Sequence, residues 1–292
     1  MNKSVSIIIP AFNEELCIGD FLKELDVFMR NNYSDYEIIV VDDCSTDNTS
    51  EILKSLDFIR YLRNPYNKGN GATVRTGIRN ATKDYVVMMD SDGQHKPEDI
   101  KRITDKLEDY DCVVGARTSN YQGSVHRNLA NSFYNYLATY VTNLKIQDLT
   151  SGFRGFKRSI IIKFLYLFPN GFSYPTTSTM AIIKSGYNLC YVPIDARPRI
   201  GKSKIKLLRD GFRFLIIIMK VATLFSPLKV FLPISFFFFL SSMIHGFYKI
   251  VFVESRYTQF TVVLFTLSIL FFLIGLLSEQ ISTLRFDRVE EE

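Results

Sequence analysis

The chain has 292 residues, a net charge of +5, four cysteines and three histidines. That length holds one substantial domain plus an appendage. Cys17, Cys44, Cys112 and Cys190 show neither CxxC nor paired spacing, and the histidines form no zinc pattern, so a disulfide scaffold and a zinc module are excluded. The charge is uneven: after about Pro198 a basic stretch precedes two long apolar runs, and no nucleic-acid partner is expected.

Met1-Asn2-Lys3-Ser4 leads straight into a strand, so no signal peptide is expected. Residues 4–9 are a β-rich run ending at Pro10. Asn13-Glu14-Glu15 opens an amphipathic helix to about residue 30. Residues 36–41 form a second strand, ending in Asp42-Asp43-Cys44-Ser45. Asp47 or Asn48 caps the next helix. Residues 58–62 are a third strand. Asn67-Lys68-Gly69-Asn70-Gly71 leads into a helix over 72–80, and residues 85–89 are a buried strand. Pro97 sits at the favoured first position of a further helix, and residues 111–116 are a fifth strand. Strands alternating with helices predict an α/β fold with a mainly parallel, Rossmann-like sheet. Ligands bind beyond the carboxyl ends of such strands, where residues 10–14, 42–43, 68–69 and 90–94 all fall.

The organising stretch is Asp90-Ser91-Asp92-Gly93-Gln94. Two carboxylates and an amide oxygen stand at alternate positions and share a face in extended chain. Gly93 lets the backbone turn. Hard oxygen donors of this kind suit Mg²⁺ or Mn²⁺. Taken alone, the run also resembles an ordinary acidic turn. An EF-hand is excluded, because His95 and Lys101 occupy the positions that need Gly and Glu. A dinucleotide fingerprint is excluded too: Val74 stands where the third glycine belongs, and the run follows the third strand.

Pro10-Ala11-Phe12-Asn13-Glu14-Glu15, Asp42-Asp43-Cys44-Ser45-Thr46-Asp47-Asn48-Thr49, Asn67-Lys68-Gly69-Asn70-Gly71 and the acidic motif together resemble the family-two inverting glycosyltransferases, over roughly residues 4–200. The resemblance implies a GT-A fold and a nucleotide-sugar donor of UDP-glucose or GDP-mannose type. It implies that Pro10, Asn13, Glu14, Asp42 and Asp43 line the nucleoside, with Lys68 and Gly71 beside the base or phosphates. Asp90, Asp92 and Gln94 would hold the metal and diphosphate. Lys68 also fits a solvated loop lysine.

Residues 117–157 carry a second set of signals. Arg117 ends the fifth strand, and Arg127 starts a helix to about residue 144. Asn128, Ser132, Asn135 and Thr139 share one face of it, most simply its solvated side. Residues 147–156 and Arg197-Pro198-Arg199-Ile200-Gly201-Lys202-Ser203-Lys204 resemble the polyprenyl-phosphate branch of the family, which includes the dolichol-phosphate mannose synthases. Arg117, Arg127, Arg199, Lys202 and Lys204 are candidates to surround a lipid phosphate and the donor diphosphate. The last group equally fits a positive-inside flank. Asp148 serves either as a base or as the partner that orients an arginine; orientation is favoured.

Residues 205–225 read as an interfacial amphipathic helix. Residues 230–248 and 257–278 are long and apolar enough to span a bilayer; His245 and Lys229 fit interfacial positions near the span ends. The expected organisation is a cytosolic GT-A domain (1–200), a juxtamembrane helix (201–226) and two transmembrane helices (227–292), with the C-terminus cytoplasmic and the protein in the cell membrane. The expected activity moves a single sugar to undecaprenyl or dolichyl phosphate, since two spans are too few for a polymer conduit. A processive or non-lipid acceptor reaction and a non-catalytic scaffold are the alternatives, and a homo-oligomer is left open.

Overall fold

Val5 to Ala11 are all buried, and this apolar run seeds the sheet. The computed structural model describes residues 3–117, 125–171, 173–195, 197, 216, 219–220, 222–253 and 258–291, with side chains except at 125–131 and 285–291. Its strands are β1 (Ser4–Ala11), β2 (Asp35–Asp42), β3 (Arg60–Arg63), β4 (Tyr85–Met88), β5 (Cys112–Arg117), β6 (Arg154–Lys157) and β7 (Leu189–Ile194). They form one seven-stranded sheet in the order β3-β2-β1-β4-β6-β5-β7. All pairings are parallel except those of β6, which runs antiparallel to both β4 and β5.

The helices between and beside these strands are α1 (Ile18–Asn32), α2 (Thr49–Lys54), α3 (Asn70–Asn80), α4 (Asp99–Lys106), α5 (Val125–Thr142), α6 (Arg158–Ile161) and α7 (Tyr174–Lys184). Successive strand residues face opposite sides. Val5, Ile7 and Ile9 join Phe21, Leu22 and Leu25 of α1 and Ile100 and Ile103 of α4 in one core. Ile8 faces the other way, towards α3, where Gly77 allows close approach: a Cβ there would lie 2.3 Å from Ile8 Cγ2. Burial on both faces explains why these strands read as unbroken apolar runs. Pro10 is tolerated because the β4 pairing stops at Ile8 opposite Met88, so no ladder bond is lost on that side.

Several boundaries differ from the sequence expectation. Asn13 has φ 55°, so residues 13–17 form a turn and α1 starts at Ile18. Pro97 lies two residues ahead of α4 rather than at its first position. Asn135 and Thr139 of α5 do not simply face solvent. Asn135 Nδ2 donates to Gln147 O (2.9 Å) and its Oδ1 accepts from Leu149 N (3.0 Å), while Thr139 Oγ1 accepts from Ile146 N (3.1 Å). The polar face binds its own following loop. β6 and β7 are additions; β7 carries Pro193 at the sheet edge, where proline is allowed.

The described residues divide into two units, one within 1–139 and 144–210, the other within 140–143 and 211–292. The second unit is a hairpin of two apolar helices, Pro227–Phe252 and Gln259–Glu291. Pro227–Phe252 and Gln259–Leu284 are each long and apolar enough to cross a membrane. Small and polar residues join them: Ser235 Oγ donates to Ser268 O and Ser242 Oγ to Thr261 O, both at 2.9 Å. Gly275 lies so close to Phe231 that a Cβ would meet its Cβ at 2.9 Å, as expected where helices pack tightly in lipid. The expected juxtamembrane helix falls mostly outside the described residues.

Arg154 at the start of β6 is fully buried. Its guanidinium donates to Ser151 O (3.0 Å), Pro175 O (2.8 Å), Ser178 Oγ (2.8 Å) and Thr179 Oγ1 (3.1 Å), tying β6 to α7. A buried cation persists only with its donors satisfied. Arg154→Met should therefore lower stability by about 3 kcal/mol or more, because each acceptor left buried without a donor costs roughly 1–3 kcal/mol. Thermal unfolding of the purified chain checks this, and an unchanged midpoint would refute it.

Candidate active site

The carboxyl ends of the parallel strands collect the polar loops along one edge. After β1, Asn13 turns the chain and stitches it to the loop after β2. Asn13 N donates to Ser45 Oγ (3.0 Å), Thr46 N to Asn13 Oδ1 (2.8 Å), and Glu14 N to Thr49 Oγ1 (2.9 Å). Cys17 bridges onward, with Sγ 3.6 Å from Glu14 Oε2 and 3.4 Å from Ser91 O.

Asp42 and Asp43 divide their work. Asp42 is fully buried and accepts from Ser45 N (2.8 Å), Ser50 Oγ (2.5 Å) and Tyr61 OH (3.2 Å). Burial pushes its carboxyl upward, but the hydrogen bonds from Ser45, Ser50 and Tyr61 outweigh this and hold it below the usual range. Asp43 accepts from Asn64 Nδ2 (2.8 Å), Lys68 N (2.9 Å) and Gly69 N (2.8 Å). It thereby shapes the loop in which Lys68 lies 5.6 Å from the Tyr66 ring centre. Gly69 has φ +91°, and a Cβ on Gly71 would meet Pro169 O at 2.1 Å. The Gly71 and Ala72 amides donate to Gly171 O (3.1 Å) and Asn170 O (2.9 Å), so the first turn of α3 is capped by backbone.

β4 delivers the acidic turn. Asp92 is buried and its Oδ1 accepts from Gln94 N (3.2 Å). Gly93 takes φ +69°. His95 stacks on Phe153 at 4.9 Å, with Nε2 3.7 Å from Asp90 Oδ2. Gly152 makes room for that carboxylate, since a Cβ there would lie 2.5 Å from Asp90 Oδ2. Its carbonyl accepts from the buried Tyr174 hydroxyl (3.2 Å), whose pKa burial drives upward. Among the described residues no three His, Cys, Asp or Glu side chains converge. Two carboxylates and an amide nonetheless fit Mg²⁺ or Mn²⁺, which take the rest of their shell from phosphate and water.

β5 ends in Arg117, which Asp148 grips from two sides. Nε donates to Oδ2 (2.8 Å) and Nη2 to Oδ1 (3.0 Å), and Nη2 also reaches Thr150 Oγ1 (2.8 Å). Asp148 Oδ1 further accepts from Thr150 N (3.1 Å) and Ser151 N (3.0 Å). Burial raises the Asp148 pKa, but Arg117 and these amides more than reverse it, leaving it below the ordinary value. Arg127 lies in the first turn of α5, but its side chain is outside the description. Arg199, Lys202 and Lys204 lie outside the described residues altogether. Glu24 and Tyr174 join the site's surroundings without any sequence signal, whereas Gly152, Arg154 and Arg197 lie in the two segments that carry the polyprenyl-phosphate resemblance but were not singled out there.

The glycosyl transferase family 2 model matches residues 6–165, and a GtrB C-terminal hairpin model matches residues 226–284. An uncharacterized protein of Methanocaldococcus jannaschii is 32% identical over 65% of this chain and 80% of its own length. The undecaprenyl-phosphate 4-deoxy-4-formamido-L-arabinose transferase of Klebsiella pneumoniae is 29% identical and that of Photorhabdus laumondii 31%, each over 54% of this chain. The chain spans about half the length of these two transferases. Glucosyl-3-phosphoglycerate synthase of Mycobacterium tuberculosis, solved with Mn²⁺, uridine diphosphate and phosphoglyceric acid, superposes with a TM-score of 0.61. It is 17% identical, over 75% of this chain and 78% of its own. The same enzyme with Mg²⁺ and uridine diphosphate also gives 0.61, at 18% identity over 75% and 79%. At that identity the likeness establishes the GT-A fold.

A carboxyl held below its unfolded pKa adds stability above the unfolded value and loses it as pH falls through the folded one. Asp148→Asn should therefore be less stable at neutral pH, by on the order of 2 kcal/mol. It should also lack part of the wild-type loss of stability below about pH 4. Unfolding midpoints measured across acidic pH test both; parallel curves for the two proteins would contradict the assignment.

Proposed function

The chain belongs to glycosyl transferase family 2, and from that premise we propose that this glycosyltransferase transfers one sugar from a nucleotide-sugar donor to a polyprenyl phosphate at the cytosolic face of the cell membrane. The observation that carries the acceptor reading is Arg117, locked bidentately by Asp148 at the end of β5. A guanidinium so fixed is a pre-oriented cation at the end of β5, of the kind that recognises phosphate. The names of the arabinose-transferring relatives and the match to a GtrB-type hairpin support a lipid-phosphate acceptor.

The reaction is a single displacement. An oxygen of the acceptor phosphate forms a bond to the anomeric carbon as the bond to the nucleoside diphosphate breaks, and the electron pair leaves with the diphosphate. Attack from the opposite face inverts the configuration. A phosphate monoester has a second pKa near 6, so at neutral pH it is already mainly anionic. It needs placement more than a base. Asp148, saturated by donors and held ionised, orients Arg117 in this scheme, and Arg127 joins it from α5. Pro10, Asn13 and Glu14 line the nucleoside side. Asp42 and Asp43 act through the loops they hold, and Gly71 through its close backbone contact. Lys68 faces the donor charge, and Arg199, Lys202 and Lys204 add to it from the basic segment. Asp90, Asp92 and Gln94 would hold Mg²⁺ or Mn²⁺, which when bound would neutralise charge on the leaving diphosphate. The basic residues ahead of the first apolar helix support a cytosolic catalytic domain, by the positive-inside rule.

Purified chain incubated with undecaprenyl or dolichyl phosphate and radiolabelled UDP- and GDP-sugars should yield a lipid carrying one sugar. EDTA should abolish product and added Mn²⁺ restore it. Asp92→Asn should lower turnover on the order of 100-fold, since a bound cation contributes several kcal/mol of charge stabilisation. Arg127→Ala should raise the requirement for lipid far more than for nucleotide sugar. Full turnover in EDTA would refute the metal reading, and a sugar polymer or a water-soluble product would refute the acceptor reading.

A further inference from the structure

The acidic turn is bracketed from outside by a residue one hundred and three positions away. Arg197 N donates to Gln94 O at 2.8 Å, and Gln94 Nε2 donates back to Arg197 O at 3.3 Å. The Arg197 side chain turns the other way, to α1. There Nη1 meets Glu24 Oε2 at 2.9 Å and Nη2 meets Glu24 Oε1 at 2.7 Å, a parallel two-bond fork. Glu24 stands on a helix whose neighbouring Phe21, Leu22 and Leu25 are buried in the core, so the far end of the bracket is rigid. Gln94 N in turn donates to Asp92 Oδ1. A continuous path thus runs from α1 through Arg197 and Gln94 to Asp92.

As a contribution to folding, this ion pair is minor. Both side chains are more than a third exposed, and such pairs add little stability. Its geometry matters for another reason. Among the described residues, no atom lies within 4 Å of where a Cβ on Gly93, at the apex of the turn, would be, so their packing does not fix the apex. A carboxamide has two corners, and only its oxygen ligates a hard cation. With Nε2 directed to Arg197 O, Oε1 occupies the opposite corner.

Resting on the metal reading proposed above, we propose that Arg197 is a positioning residue for the cation. Clamped by Glu24, it fixes Gln94 in the rotamer that offers Oε1, and so sets the affinity of the acidic turn for the divalent ion with nucleoside diphosphate. Arginine is required because the fork and the backbone bracket must hold together; lysine supplies charge but no fork.

The test is Mn²⁺ binding by the full chain in detergent, followed by the electron paramagnetic resonance of free Mn²⁺ with saturating UDP or GDP. Glu24→Gln and Arg197→Met should weaken Mn²⁺ binding by roughly three- to tenfold, the cost of ordering one or two side chains on binding. Arg197→Lys should recover only part of this. The exchanged pair, Glu24→Arg with Arg197→Glu, should recover most of it. Unfolding midpoints should move by no more than about 2 °C, which separates positioning from a structural defect. Glu24→Gln alters only an exposed carboxylate, so it keeps the test valid if Arg197→Met misfolds. Wild-type Mn²⁺ affinity in Glu24→Gln and Arg197→Met would overturn the inference while leaving the metal reading intact. So would additive losses in the exchanged pair. Absence of Mn²⁺ binding by the wild type with either nucleotide would overturn both.

Discussion

A carboxylate removed from water has to be surrounded by donors, and at the working edge of this sheet that demand creates the loops. Asp42 gathers Ser45, Ser50 and Tyr61. Asp43 gathers Asn64 and the amides of Lys68 and Gly69. Asp148 gathers Arg117 and the amides of Thr150 and Ser151. Each joins segments that the strands alone would leave separate. Loops without regular structure become fixed geometry, which is what the proposed site for two highly charged reactants requires.

The antiparallel strand β6 couples the two halves of that edge. Because it runs against β4, its start lies beside the end of β4, with Arg154 opposite Met88. The residues just before it therefore reach the acidic turn: Gly152 against Asp90 and Phe153 against His95. The same segment begins with Asp148. One short stretch thus touches the proposed metal ligand and holds the proposed phosphate-binding arginine.

Much of this was legible in the sequence. The strands buried on both faces announce themselves as apolar runs, and the polar motifs fall at their carboxyl ends. The GT-A fold was what the resemblance of the four motifs to family-two glycosyltransferases implied. What escaped depends on distant partners. β6 is Arg-Gly-Phe-Lys, four residues with no periodicity, and it is a strand only because β4 and β5 flank it. The aspartates could be picked out, but not which donors each would take. Asp42 and Asp43 turn inward to hold loops where the resemblance implied nucleoside contact, and their roles towards the donor are proposals. For Asp148 two roles were open; the bidentate pair with Arg117 supports the orienting role, which is a proposal. Glu24 carried no signal and Arg197 only its place at the head of the basic segment, because a single ion pair between exposed residues leaves no pattern in sequence.

The hydroxyl contacts between the two apolar helices have a further consequence. Ser235 with Ser268, Ser242 with Thr261, and Glu279 Oε2 accepting from Leu228 N at 3.0 Å lie at successive levels of the hairpin. Phe236, Phe237 and Phe247 point outward. Sliding one helix past the other by a single turn, about 5.4 Å, would break all three levels together and set hydroxyls against hydrocarbon. The levels act as the wards of a lock: they admit one alignment, although greasy helices packed by shape alone would tolerate several.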